Sequence, residues 1–322
     1  MKLTIGMSNR NRDWFLDRSI YLLSKQTLPQ DEWELIIVDD GSTDQSDDVI
    51  QRYKKMNIIK NFHYIKNTKE RHDLPGSPAR TCNIVAKESY GDYLLYTDPE
   101  IMPLPDFAKH HYSLHEGRTD KYVYGRCLHP REFHIVSGDG IEYCRGAFLG
   151  NAYTDYDWFK IENVWKIMNE KIQKIQENME SEIVNITDIH PKIHTLSRKE
   201  IIHGIIDGEF FNNYQGGFSL SKKLMFDLRG FEEDFCDKSK GLDIYGGLDI
   251  LIKEYLERLL GQNAGILSMI AKSIHIYHPQ DSRGGKGYDY AFTYLKEHPN
   301  QKCCNINREW GLIEEHGFTK VF

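Results

Sequence analysis

The stretch Leu35-Ile36-Ile37-Val38-Asp39-Asp40-Gly41-Ser42-Thr43-Asp44 decides how this chain is read. Four consecutive apolar residues, three of them β-branched, make a strand with no polar face, which must be covered on both sides. It stops abruptly on two carboxylates and a turn. The helical pattern that follows carries Val49, Ile50 and Tyr53 and has Ser or Asp as its cap. Outward from this point the alternation repeats. Residues 2–7 read as a strand, and Trp14, Leu16, Ile20, Leu22 and Leu23 mark a helix ending near Gln26. Residues 58–65 read as a third strand, 77–88 as a helix and Tyr93-Leu94-Leu95-Tyr96 as a fourth strand. Apolar strands alternating with helices predict an α/β fold around a parallel sheet, with ligands beyond the carboxyl ends of the strands.

Composition narrows the class. The 322 residues are 40% hydrophobic and 28% charged, which suffices for two domains or one large one. Forty-one Lys+Arg against 48 Asp+Glu leave a charge of −7, which excludes a broad basic field for nucleic acid. No stretch approaches the roughly 20 apolar residues of a membrane span. The first seven residues reach Ser8-Asn9-Arg10 too soon for a signal peptide. Six cysteines lack CxxC spacing, so neither a zinc ribbon nor a disulfide scaffold is expected and a reducing cytoplasm is. The Asn185-Ile186-Thr187 sequon is then idle.

From about residue 105 the pattern changes. Residues 121–147 read as short antiparallel strands turning at Ser137-Gly138-Asp139-Gly140. Trp158, Ile161, Trp165, Met168, Ile172, Ile175 and Met179 recur at three- and four-residue steps, predicting a long amphipathic helix. That helix packs on its own domain, forms a homodimer seam over 158–179, or lies on the inner face of a membrane. The stretch 181–207 has no period. After Gly216-Gly217 a further strand–helix set runs to about 297, with a polar tail beyond. The expected division is 1–120, an insertion at 121–210, 211–298, and a tail at 299–322.

Four groups of residues carry chemistry. Asp39 and Asp40 at a strand end form either a turn and cap or a carboxylate acceptor for a nucleoside's ribose hydroxyls or base N–H. In Thr97-Asp98-Pro99-Glu100, proline fixes the backbone, and an extended geometry would direct both carboxylates to one side. Two hard oxygen ligands suit Mg²⁺ or Mn²⁺, completed by water and phosphate. Asp249, after Gly246-Gly247, is either a helix-start carboxylate or a general base for an attacking hydroxyl. His275 and His278 end a strand before Arg283-Gly284-Gly285-Lys286-Gly287, a flexible segment that would close over a diphosphate or lie on the surface.

Together these residues resemble glycosyltransferase family 2 and its relatives with the GT-A fold, a Rossmann-like mixed sheet flanked by helices, here with a helical insertion. The resemblance rests first on Gly6 to Arg12 with Ser24-Lys25-Gln26-Thr27, and on the run V-D-D-G-S-T-D at 38–44. It continues in Ala79-Arg80 with Gly91-Asp92-Tyr93 and Thr97-Asp98-Pro99-Glu100. The last block is Gly216-Gly217-Phe218, Arg229-Gly230-Phe231-Glu232-Glu233-Asp234-Phe235 and Gly246-Gly247-Leu248-Asp249. This block is similar to that of galactosyl- and N-acetylgalactosaminyltransferases and chondroitin-type synthases.

The resemblance implies that Asp39 or Asp40 and Arg80 contact the uridine of a UDP-sugar, with Ser8, Asn9, Arg10 and Gly217 lining the same pocket. Asp98, Glu100 and His278 would hold Mn²⁺ or Mg²⁺, with His275 the competing ligand. Arg283 and Lys286 would stabilise the departing diphosphate, and Asp249 would be the base of an inverting transfer. The implied reaction moves a hexose or N-acetylhexosamine to a saccharide or lipid-linked saccharide. Three departures stand out. The metal motif ends in Glu100, Leu248 replaces an expected Glu, and Thr81 and Asn83 replace the usual Asn and Gly. Glu100 and Leu248 motivate an alternative, a nucleotide-sugar-binding protein with decayed chemistry. A sugar nucleotidyltransferase is disfavoured, because its Gly- and Arg-rich loop is absent after the first strand.

Overall fold

The computed structural model describes residues 1–68, 78–128, 134–138, 141–145, 158–160, 217–233, 247–261, 264–275, 285–313 and 317–322. Strand β1 (Leu3–Asn9) leads through helix α1 (Asp13–Leu23) to β2 (Trp33–Asp39), α2 (Ser46–Met56) and β3 (Phe62–Asn67). Helix α3 (Pro78–Glu88), β4 (Tyr93–Thr97), β5 (Ile101–Pro103), α4 (Phe107–His115) and β6 (Tyr122–Leu128) follow. Strands β7 (His134–Gly138), β8 (Ile141–Arg145) and β9 (Trp158–Lys160) form a separate three-stranded sheet. The remainder is β10 (Phe218–Ser221), α5 (Lys222–Asp227), α6 (Leu248–Leu260), β11 (Gly265–His275), α7 (Gly285–Glu297) and β12 (Phe318–Lys320).

The main sheet has nine strands in the order β12-β3-β2-β1-β4-β10-β6-β11-β5. Strands β3, β2, β1 and β4 are mutually parallel, whereas β10 runs antiparallel to β4. Strand β2 is buried at every position, as a strand covered on both faces must be. Its side chains divide between two cores. Ile36 and Val38 face the α3 and α6 side, with Val85, Leu251 and Tyr255. Leu35 and Ile37 face the α1 and α2 side, with Leu16, Ile20 and Ile50. The chain order reverses direction around β1, between β2 on one side and β4 on the other, where a doubly wound sheet opens its ligand crevice.

Several expectations are corrected. The strand read at 58–65 lies at Phe62–Asn67; Ile58 and Ile59 instead pack beneath the preceding turn, Ile59 being buried. Strand β6 does not belong to the local antiparallel set. It joins the main sheet, antiparallel to β10 and parallel to β11, because Tyr122 and Tyr124 pack on Phe218 of the central core. The turn near 137–140 does connect an antiparallel pair, β7 with β8. The helix expected from Trp158 does not begin there. Trp158–Lys160 pairs with β8, because Trp158 and Phe159 lie in a register opposite Arg145 and Cys144. The rest of 158–179, with its proposed dimer seam, lies outside the described residues, as does 181–207.

The tail is more than polar. Cys304, Trp310 and Phe318 are buried, and β12 pairs with the outer edge of β3. The carboxylate of Glu233, fully buried, accepts hydrogen bonds from Asn83 Nδ2 and the Gly311 amide, both at 2.8 Å. Asn305 Nδ2 donates to the carbonyls of Arg229 and Phe231, each at 2.7 Å. Residues 304–311 are thereby tied to the 229–233 loop and to α3.

Between α4 and β10 sits a buried polar trio. Ser219 Oγ lies 2.7 Å from His111 Nδ1 and 2.8 Å from His115 Nε2, and the His115 ring stacks on Tyr93 at 5.1 Å. Burial pulls the His115 pKa down to about 4, against hydrogen bonds to the backbone of Ser219 and Arg118 that favour the charged form.

Candidate functional site

The ends of β1, β2 and β4 bring most of the singled-out residues to one edge. Asn9 stands opposite Asp39 in the parallel ladder, and Met7 opposite Thr97. Ser8 and Asp98 therefore both follow the last rung of the β1–β4 ladder. Asn9 Nδ2 donates to Asp39 Oδ2 at 2.6 Å, and Ser42 donates to the same carboxylate through its amide at 2.8 Å and its hydroxyl at 2.6 Å. Asp39 thus folds the turn after β2, and burial raises its pKa against these three hydrogen bonds. Asp40, also buried, accepts from Asn67 Nδ2 at 2.9 Å, so β3 holds the second carboxylate. The two acids that the sequence left as alternatives have different surroundings: Asp39 is bound by its own turn and by Asn9 of β1, Asp40 by Asn67 of β3.

The loop after β1 is braced against the same turn. Asn11, at φ 51°, donates its amide to Ser42 Oγ at 2.8 Å and accepts from the Thr43 amide at 2.7 Å. Asp44 accepts from the Asp13 and Ser46 amides, both at 3.0 Å, so one carboxylate serves the starts of α1 and α2. The cap position of α2 is Gln45, which makes no side-chain cap bond, rather than the Ser or Asp expected. On α3, Thr81 donates to Ser8 Oγ at 2.7 Å, which brings the first turn of α3, including half-buried Arg80, against the end of β1. Arg10, half-buried, follows β1 directly.

Asp98 and Glu100 are close, but not through an extended segment. The Ile101 amide donates to the Asp98 carbonyl at 3.0 Å, so residues 98–101 form a β-turn with Pro99 at its second position. Proline's fixed φ suits that position, and the strand alternation expected from sequence gives way to it. The Asp98 pKa is pushed up to about 7 by burial first and then by the Glu100 charge, with the Arg12 guanidinium opposing. Arg12 Nε forms a short charge-assisted hydrogen bond to Glu100 Oε1. Sequence reasoning singled out Arg10 and missed Arg12; nothing in the local pattern distinguishes two arginines two residues apart.

Two carboxylates on one turn at a strand edge are a donor set that suits Mg²⁺ or Mn²⁺. Among the described residues no cluster of three His, Cys, Asp or Glu side chains forms a metal site. His278 and Arg283 lie outside the described residues. His275 ends β11 with its backbone opposite Ile101, one residue from Glu100. Lys286 belongs to α7 rather than to a glycine-rich loop, because Tyr290, Ala291, Tyr294 and Leu295 seat that helix on the core and its register extends back to Gly285.

Gly217 lies at φ 85° immediately before β10, whose first residue Phe218 stands opposite Tyr96 of β4. A Cβ there would strike the Phe107 ring, so packing on α4 already requires glycine. Asp249 is in the first turn of α6, after Gly247 at φ 87°. Among the described residues no helix is long and apolar enough to cross a membrane.

Residues 4–134 match the model of the family described as Glycosyl transferase family 2, an interval that contains the ends of β1 to β4. This chain carries a glycosyl transferase family 2 domain. Outside the family 2 interval lie Gly217 and Asp249. The chain is 26% identical over 100 residues to the poly(ribitol-phosphate) β-N-acetylglucosaminyltransferase TarS of Staphylococcus aureus, covering 31% of this chain and 16% of that protein. It is 30% identical over 161 residues to the validoxylamine A glucosyltransferase of Streptomyces hygroscopicus subsp. limoneus, covering 49% and 34%. The matched stretches thus span well under half of either relative. A mannosyltransferase from Pyrobaculum calidifontis, solved with GDP-Man and Mn²⁺, superposes with TM-score 0.56 at 13% identity over 94% of this chain and 65% of that one. The family 2 domain thus has the mixed α/β GT-A-like fold.

Proposed function

We propose that this protein transfers a hexose or N-acetylhexosamine from a UDP-sugar to a saccharide or lipid-linked saccharide, with a divalent cation and inversion at the anomeric carbon. The observation that carries the reading is the adjacency, inside the family 2 interval, of the Asn9–Asp39–Asp40–Asn67 network and the Asp98–Glu100 turn at neighbouring strand ends. The first has hydrogen-bonding groups for a nucleoside, and the second has oxygen ligands for a diphosphate-bound cation. The names of two relatives, one a β-N-acetylglucosaminyltransferase and one a glucosyltransferase, support the hexosyl class.

In this reading Asp40, held by Asn67, and Arg80 orient the nucleoside, and Ser8, Asn9, Arg10 and Gly217 line its pocket. Asp98 and Glu100, with His278 or His275, hold the cation. A bound Mg²⁺ or Mn²⁺ supplies positive charge where the leaving diphosphate accumulates negative charge. Asp249 removes the proton from the acceptor hydroxyl as its oxygen attacks the anomeric carbon, and Arg283 and Lys286 lower the cost of the departing charge. The test is a panel of UDP-sugars and GDP-mannose, read by thermal stabilisation and by Mn²⁺-stimulated release of nucleoside diphosphate. One UDP-hexose or UDP-N-acetylhexosamine should stabilise the protein and be hydrolysed. Indifference to every donor would overturn the reading.

A further inference from the structure

We propose that Arg12 is a positioning residue that makes cation and nucleotide diphosphate bind cooperatively, exchanging Glu100 for the diphosphate as the site fills; this rests on the glycosyltransferase reading above.

The pairing joins residues 88 apart in the chain, Arg12 at the start of α1 and Glu100 on the turn after β4. The Glu100 side chain is only 10% exposed, whereas Arg12 is 38% exposed and has room to move. The Arg12 guanidinium carries a permanent charge. Held on Glu100, it cancels that carboxylate's charge, so a divalent cation arriving alone meets a weaker attraction from the turn. It also occupies a carboxylate oxygen that the cation would need. The Arg12 side chain makes no cap bond to α1; besides Glu100 it donates from Nη1 to the adjacent Asn11 carbonyl at 3.2 Å, a local contact at an exposed position.

A nucleoside diphosphate changes the balance. Its oxygens are bidentate acceptors that match a guanidinium fork as well as a carboxylate does. Arg12 turning to the diphosphate neutralises part of the ligand's charge and releases Glu100 to the cation. Each ligand then favours the arrangement that the other needs, and linkage requires both affinities to rise by one factor. Burial of Glu100 strengthens the effect, since exchange of charged partners away from bulk water is weakly screened.

The experiment measures Mn²⁺ binding, by the electron paramagnetic resonance signal of free Mn²⁺, with and without UDP, on the full chain. In the unmodified protein UDP should tighten Mn²⁺ binding on the order of tenfold. Arg12→Gln should bind Mn²⁺ alone on the order of tenfold more tightly, and UDP should then tighten it only marginally. Arg12→Lys, which keeps the charge, should retain weak binding of Mn²⁺ alone. In a Glu100→Gln background, Arg12→Gln should have a much smaller effect on Mn²⁺ alone, since only the guanidinium's longer-range action on Asp98 remains. Unchanged or weakened Mn²⁺ binding by Arg12→Gln, or no effect of UDP on the unmodified protein, overturns this inference and leaves the glycosyltransferase reading standing. Failure of the unmodified protein to bind either ligand overturns both.

Discussion

Acidification should destabilise this protein through one buried imidazole. His115 is fully buried against Ser219 and Tyr93, and its folded pKa is about 4 against an ordinary 6.5. Because the folded value is depressed, the unfolded chain takes up a proton between pH 6.5 and 4 that the native state refuses. This contribution is therefore present above pH 6.5, is lost as pH falls, and levels off below about 4. Integrating the two titrations from pH 7.5 to 5.0 gives a loss of about 2 kcal/mol from this residue alone. His115→Gln retains a partner for Ser219 but does not titrate. Urea unfolding of both proteins at pH 7.5 and 5.0, followed by tryptophan fluorescence, isolates the term as a difference of differences and cancels the shared carboxylates. His111, which shares Ser219, is present in both proteins. Equal losses in the two proteins would show that His115 is not held neutral by its burial.

Three further outcomes follow from the same structure. Asp249→Asn should lower turnover about 10²- to 10⁴-fold while leaving UDP affinity, measured calorimetrically, nearly unchanged; full turnover would remove Asp249 from the mechanism. Gly230→Ala should cost about 2–4 kcal/mol in urea unfolding, since Gly230 is at φ 75° and a Cβ would meet both Asn83 and Trp310. Trp310→Ala should cost about 3–5 kcal/mol by the same assay, because the ring is buried against Phe226 and beneath Lys87 Nζ at 4.2 Å.

The parallel half was legible because burial on both faces leaves a sequence mark. Residues 35–38 have no polar member, so their strand and its flanking helices could be read locally, and the acids at its end mark the strand edge where Asn9, Asn67 and Ser42 meet them. The Asp98–Glu100 pair was legible as composition but not as geometry, since the turn depends on an amide two residues beyond the proline. Strand β6 and Trp158 are misread locally because their partners, Phe218 for β6 and Arg145 of β8 for Trp158, are distant in sequence. Arg12 was invisible for the same reason: its partner lies 88 residues away. Asn83 looked like a departure from the family pattern; in the structure it accepts from the Phe231 amide at 2.7 Å and donates to Glu233, tying α3 to the 229–233 loop.

Strand β12 seals β3 across a separation of about 250 positions, with Phe318 opposite Asn67, the residue whose amide grips Asp40. During synthesis the ribosome releases β3 long before its outer neighbour exists. A nascent chain can therefore assemble β1, β2 and β4 early, yet the rung beside the Asn67–Asp40 pair stays unsealed until residues 318–320 emerge. A chain without residues 318–320 would leave the outer edge of β3 as a bare, pairing-competent sheet margin, the kind of surface that recruits other strands and drives aggregation.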